Sequence, residues 1–275
     1  LNPGPVILAY HNVIGAEQQP RGEVSLHLPA NKFAEQMEWV ASHFEVVSLR
    51  EVAMAMTSGD TRRPLLALTF DDAYRGVFRH ALPVLHRYNL PATVMVVETA
   101  SESPRLYWWD VVAECRPQLD RDALRIRFGG QGTAILAHTG LGDIETGLPD
   151  EYWPADWALL QSVQSDTIEL AAHTRTHPML TSLLASDCAE ELQRARTRLG
   201  AKLGREPSIL AYPYGDWNSD VALAASRAGY ELAVTTDRRW RGGARLPMSL
   251  PRQTISSGVT LSAFTAAASR LRLSH

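Results

Sequence analysis

The feature that most constrains this chain is an alternation of short apolar runs with amphipathic stretches, kept up over most of its length. Residues 6–10, 65–70, 92–97, 167–171, 208–212 and 231–235 read as buried strands, with another near 253–256 and a short one at 44–47. Between them, 33–44, 187–203, 220–228 and 261–271 have helical periodicity. Ser48 followed by Glu51 forms a capping box that opens a helix to Met56, and Gly59 closes it. Residues 73–88 read as a helix that Pro83 should kink or split. Strand–helix alternation of this kind predicts an α/β fold, a parallel sheet covered by helices. Some seven units fit either an open sheet or a barrel, and the 275 residues match the length of a single (β/α) barrel.

Residues 99–157 break the rhythm. They hold four of the seven tryptophans, Trp108, Trp109, Trp153 and Trp157, and are glycine-rich from Gly129 to Gly147. The stretch is too long for a plain loop in a compact domain, so it reads as an insertion, either a small subdomain or a lid. The expected organisation is one catalytic domain over 1–275 interrupted at about 99–157.

Composition narrows the class. With 45% hydrophobic and 21% charged residues, the chain is neither disordered nor fibrous. Its 27 basic and 30 acidic residues leave a net charge of −3, which gives no support to a nucleic-acid partner. No apolar run is long enough to span a membrane. Cys115 and Cys188 lie far apart in helical stretches and read as buried or half-buried thiols, with one long-range disulfide left open. The chain starts at Leu1, so a processed protein is expected, and a periplasmic, cell-surface or secreted location is favoured over the cytoplasm. The oligomeric state stays open.

Chemistry gathers where strands end. Asp71 and Asp72 follow the strand at 65–70; adjacent carboxylates there call for a compensating cation, although Asp72 equally fits a helix cap. His173 and His177 follow the strand at 167–171, spaced to share one face of a helical turn and one metal, or to make ordinary hydrogen bonds as buried histidines. A parallel α/β fold brings such strand ends to one face. One carboxylate and two imidazoles then form a three-ligand set of the catalytic zinc type, with the second carboxylate free to act as a base. A third cluster, Tyr212-Pro213-Tyr214-Gly215-Asp216-Trp217, offers aromatic faces to a sugar, or forms a rigid turn. Trp108 and Trp109 either line the substrate cleft or bury a core of the insertion.

The succession Thr69-Phe-Asp-Asp72, His173-Thr-Arg-Thr-His177 and Ala211-Tyr-Pro-Tyr-Gly215 resembles the polysaccharide deacetylases, the NodB-homology carbohydrate esterases of family 4. Tyr10-His11, Gly229-Tyr230, Thr235-Thr236 and Leu250-Pro251-Arg252 are similar to the branch that includes exopolysaccharide deacetylases. The resemblance covers about 5–98 and 156–256. It implies a distorted (β/α) barrel of about seven strands and hydrolysis of an N-acetyl or other N-acyl group on an amino sugar of a glycan. By position it implies Asp71 as catalytic base, Asp72, His173 and His177 as ligands of a divalent metal (zinc first), and the Tyr214 backbone N–H as an oxyanion donor.

Two departures accompany it. Ala211 stands in the region where the family often carries an arginine that orients the base; Arg252 is chosen as the substitute over Arg175, the alternative being a surface ion pair. The family's Leu-x-His occurs only as Leu273-Ser274-His275, and a chain end is a poor place for a positioned acid, so that match is set aside. His11 is the better candidate for the general acid, with a packing role as the alternative and Asp71 as a further proton source. Tyr212, Pro213, Trp217 and Trp109 are the expected substrate-binding residues, and His27, His43, His80, His86 and His138 are read as surface or packing residues. A carbohydrate-binding pseudoenzyme and a deacylase of a small or lipid-linked amino sugar are the competing readings.

Overall fold

The apolar runs are strands, and every ladder they form is parallel. The structure, a computed structural model, describes residues 4–60, 62–142, 144–165, 167–236 and 247–270. The strands are β1 (Val6–Tyr10), β2 (Asn12–Ile14), β3 (His27–Pro29), β4 (Glu45–Val46), β5 (Leu65–Phe70), β6 (Ala92–Val96), β7 (Ile168–Ala172), β8 (Ile209–Ala211), β9 (Leu232–Thr235), β10 (Leu250–Pro251) and β11 (Gln253–Thr254). The main sheet runs β10-β9-β8-β7-β6-β5-β1-β11, with β4 beside the start of β5 and β2–β3 as a separate pair.

β10 and β11 lie at opposite ends of that order, yet only Arg252 separates them in the chain. The two edges therefore meet at one residue, and the eight strands curve into a nearly closed, distorted barrel. The sequence pattern reaches about seven strands because β10 is two residues long, too short to carry a periodicity.

The helices are α1 (Ala30–His43), α2 (Leu49–Ser58), α3 (Leu82–Arg87), α4 (Glu98–Glu102), α5 (Trp108–Cys115), α6 (Arg121–Arg127), α7 (Gly132–Thr139), α8 (Trp157–Val163), α9 (Ala185–Leu203), α10 (Ser219–Arg227) and α11 (Leu261–Arg270). Ser48 and Glu51 make both bonds of the capping box on α2, and Gly59 ends it in the left-handed conformation. Pro83 sits in the first turn of α3, preceded by a widened turn over Val77–Ala81, as expected where proline offers no N–H to the preceding turn. Helix does not begin at Ala73, however: Asp72 and Ala73 take φ of 67° and 47°, and Asp72 does not cap.

Strand side chains alternate between two cores. Ile7, Ala67, Met95, Ala171, Ile209 and Val234 fill the barrel, joined by Leu49, Val52 and Met56 of α2. Val6, Leu8, Leu68, Phe70 and Leu170 face the helices. On that side Tyr10 stacks on Phe70 at 5.5 Å and meets the Phe33 ring edge-on at 5.4 Å.

Helices α4 to α8 fill the interval between β6 and β7. Their aromatic residues do not form a core of their own, because Tyr107, Trp108, Trp109 and Val112 are buried within the helix-side core of the barrel. The stretch also returns to the segment after β5: the Arg75 N–H donates to Trp153 O at 2.8 Å, and the Ala155 N–H to Ala73 O at 2.9 Å. Cys188 is buried, Cys115 is half-buried, and both are free thiols. Among the described residues no helix is long and apolar enough to cross a membrane.

Removing the α2 cap should be felt without touching the core. Ser48→Ala is expected to cost about 1 kcal/mol and to lower Tm by roughly 2–4 °C, followed by far-UV circular dichroism. An unchanged Tm would show that α2 is held by its packing alone.

Candidate metal centre and catalytic site

The C-terminal ends of the strands converge on a cavity of about 260 Å³. Its walls include His11 after β1, Asp71 and Asp72 after β5, His173 and His177 after β7, Tyr214 after β8, and Trp108 and Trp109 of α5.

Asp71 continues the β5 ladder, its N–H donating to Tyr10 O at 2.9 Å, so its side chain is carried on a rigid element. Arg252, fully buried at the barrel seam, donates to it through both terminal nitrogens, at 2.7 Å to Oδ1 and 2.6 Å to Oδ2. A further 3.0 Å bond reaches Thr69 Oγ1, which itself donates to Leu8 O. Burial alone would raise the Asp71 carboxyl, but the Arg252 charge and hydrogen bonds outweigh it and hold the carboxyl well below the usual carboxylate range. This bidentate geometry is the strong form of the arginine–carboxylate pair.

Asp72 lies on the other side of the same turn. Its Oδ1 is buried without a hydrogen-bond partner, 3.6 Å from His173 Nε2 and 3.4 Å from His177 Nε2. The two Nε2 atoms are 3.2 Å apart. His173 Nδ1 lies 2.9 Å from Ala211 O, and because a carbonyl only accepts, Nδ1 carries the proton and Nε2 presents its lone pair. Burial lowers the pKa of His173, and burial followed by the His173 neighbour lowers that of His177 further, so both rings are neutral at neutral pH, the form a metal ligand requires. Burial, then Asp71, pushes the Asp72 carboxyl well above its ordinary value, a tendency a bound cation would reverse.

These three atoms fit a metal. Ligands held ~2.0–2.1 Å from a tetrahedral zinc lie ~3.3–3.4 Å from one another, close to the observed triangle. Asp72, His173 and His177 are the one group of three metal-type side chains so placed among the described residues.

The local backbone departs from the helical turn expected for the histidine pair. His173 to Pro178 form a loop in which Thr174 and His177 have φ of 64° and 62°. Tyr214 is likewise left-handed at 59°. Each such non-glycine residue costs roughly 1–2 kcal/mol, and tertiary contacts hold several of them. The Tyr107 hydroxyl donates to Asp72 O at 2.7 Å. The Tyr214 ring packs edge-on to His177 at 4.6 Å, and its hydroxyl accepts from Trp108 Nε1 at 3.1 Å. Gly130 makes that close approach possible: a Cβ there would lie 2.6 Å from the Tyr214 ring.

The other expected residues are placed as follows. His11 lines the cavity with Nδ1 buried and unpartnered; burial lowers its pKa to about 4, against the opposing pull of Asp71. Trp109 lines the wall 5.0 Å from His177, but its indole N–H is bound to Tyr74 Oη. Tyr212, Pro213 and Trp217 are not brought to the cavity: Ala211 of β8 faces the barrel interior, so alternation turns Tyr212 to the helix side, where it is buried, donates to Met248 O and stacks on Trp217. Leu273, Ser274 and His275 lie outside the described residues. His27, read as incidental, is completely buried and bonds Asp110 at 2.8 Å; Asp110 also accepts from Tyr74 Oη, which accepts from Trp109. The available signal was a lone aspartate inside the apolar run Trp108-Trp-Asp-Val-Val112.

Breaking the Arg252–Asp71 pair should be costly, since it strands a buried carboxylate. Arg252→Met is expected to destabilise by about 3–5 kcal/mol in urea unfolding at pH 7. A loss below about 1 kcal/mol, the scale of an exposed pair, would contradict the buried bidentate geometry.

Known proteins agree with this architecture. A streptococcal deacetylase, PplD of Streptococcus pyogenes, solved with acetate, superposes with a TM-score of 0.69 at 19% identity, over 96% of this chain and 98% of that one. The structure of IcaB from Ammonifex degensii gives 0.65 at 19% identity, over 97% and 96%. In sequence, the poly-β-1,6-N-acetyl-D-glucosamine N-deacetylase of Escherichia coli K12 is 23% identical over 95% of this chain, which spans only 38% of that protein's length. The family pattern described as polysaccharide deacetylase matches residues 58–233, well over half of the chain, from before β5 into β9. The chain belongs to the polysaccharide deacetylase family.

Proposed function

We propose that the chain is a metal-dependent N-deacetylase acting on an amino-sugar glycan. The observation that carries this reading is the placement of an ionised, Arg252-clamped Asp71 beside the Asp72–His173–His177 triangle on one cavity. A non-catalytic role is disfavoured because a clamped carboxylate and a three-atom metal-type triangle face the same cavity. The name of the E. coli relative supports an N-acetylglucosamine polymer as the substrate class.

In this reading Asp72, His173 and His177 hold a divalent ion, Zn²⁺ by the donor set, which would supply Lewis acidity to the amide carbonyl and to water. Asp71 takes the proton of the attacking water. The Arg252 pairing favours its ionised, accepting form at neutral pH and fixes which way its oxygens face. The Tyr214 N–H, on its left-handed residue, is the donor assigned to the carbonyl oxygen as negative charge builds there. The C–N bond then breaks, and the leaving amine needs a proton. His11 is neutral at rest, so it serves as the acid only after gaining a proton during turnover; the proton lodged on Asp71 is the source, passed on through His11 or returned directly. Trp108 and Trp109 form the apolar wall against which a sugar ring rests.

Acetate release from N-acetylglucosamine oligomers with zinc present tests these roles. Asp71→Asn is expected to lower kcat by roughly 10²–10⁴-fold. His11→Ala should lower kcat with unchanged metal content. Undiminished release by Asp71→Asn would remove it as the base, and undiminished release by His11→Ala would remove His11 from proton transfer.

A further inference from the structure

The loop that presents both histidines is held from outside the site. Thr174, Arg175 and Thr176 connect His173 to His177, and the left-handed residues at either end of Thr174–His177 are neither glycine nor asparagine. Within the loop, the His177 N–H donates to Thr174 Oγ1 at 3.1 Å. The two amides between them point the other way, onto a single carboxylate oxygen. Glu191 Oε1 accepts from Arg175 N–H at 2.9 Å, from Thr176 N–H at 2.5 Å and from Thr176 Oγ1 at 3.0 Å. Successive amides converging on one anion form a nest.

Glu191 sits on α9, on the buried stripe formed by Cys188, Leu192, Ala195 and Leu199, and is 8% exposed. A carboxylate in such a place is unfavourable unless its hydrogen bonds are satisfied. Among the described residues no cationic side chain pairs with it; Arg175 turns its own guanidinium toward Glu98 instead. The carboxylate is therefore bound to the loop backbone and the Thr176 hydroxyl, two residues and one residue before the second metal-type histidine.

We infer that Glu191 is a positioning residue for the metal centre: it fixes the strained Thr174–His177 loop so that His177 Nε2 stays beside His173 Nε2 and Asp72 Oδ1. The inference rests on the metal-dependent reading above. Groups that orient metal ligands typically change metal affinity by about 10–100-fold when removed, and a neutral acceptor holds amides more weakly than a charged one.

The test is zinc affinity of the metal-stripped protein, measured by competition with a chelating dye, together with urea unfolding of the same stripped samples. Glu191→Ala is expected to weaken zinc binding by about 10–100-fold while remaining folded, and Glu191→Gln, which keeps the shape and one acceptor, should fall between it and the wild type. Saturating zinc should restore much of kcat with KM unchanged. Should Glu191→Ala fail to fold, Glu191→Gln decides alone. A folded variant that is less stable to urea yet binds zinc with wild-type affinity would overturn the inference and leave Glu191 as a mere tether between α9 and the loop. Wild-type protein that takes up no zinc would overturn the metal reading, and the inference with it.

Discussion

The buried ion pair between Arg252 and Asp71 is the contact on which the rest of the structure turns. Arg252 is the single residue between the two strands that end the sheet, so its backbone joins the barrel's edges while its side chain reaches the catalytic face. Closure of the barrel and orientation of Asp71 thus depend on one residue. A guanidinium is suited to this place because it stays charged and offers two parallel donors to a carboxylate. The pair also separates the roles of two adjacent aspartates. Asp71 is paired with an internal cation and is ionised; Asp72 has no such partner, and its Oδ1 faces the Nε2 atoms of His173 and His177. In the proposed mechanism it is environment, not residue type, that makes one a base and the other a ligand.

A second constraint is backbone strain gathered around the cavity. Asp72, Ala73, Thr174, His177 and Tyr214 are all left-handed without being glycine. Such conformations persist only where surrounding structure over-determines them. Much of that surrounding structure comes from the stretch between β6 and β7. It supplies the Tyr107 hydroxyl to Asp72, the Trp153 and Ala155 backbone to the turn after Asp72, and Trp108 to Tyr214. The stretch that interrupts the strand–helix rhythm is thus part of the machinery that shapes the site. Arg125 of α6, 5.3 Å over the Tyr214 ring, and the 2.7 Å Arg121–Glu23 pair extend the same walls outward.

What was legible in the sequence follows the range of the interactions involved. Strands β1, β5, β6, β7, β8 and β9 are apolar runs, and their parallel order places Asp71, Asp72, His173 and His177 on one face before any coordinates are known. Arg252 could be named, but its partner depends on how the barrel closes. Local geometry was less legible. A spacing of four between histidines suggests a helical turn, whereas the loop is bent by Thr174 and His177 and braced by a helix that comes later in the chain. The segment after β8 is a similar case: Tyr212 and Trp217 stack away from the cavity because Tyr212 continues β8 on the face opposite Ala211. Glu191 and Asp110 left only a faint signal, a carboxylate on an otherwise apolar stripe or run. Their partners lie in other elements, and periodicity does not encode them.

Catalysis at this site depends on whether Asp72, His173 and His177 hold a divalent ion beside Asp71. The direct measurement is acetate release from a β-1,6-linked N-acetylglucosamine oligomer by protein stripped with a chelator and then titrated with zinc, with Asp72→Asn alongside. Stripping should abolish release, about one equivalent of zinc should restore it, and Asp72→Asn should stay inactive throughout. Full release by the stripped protein, or by Asp72→Asn, would contradict the metal-dependent mechanism.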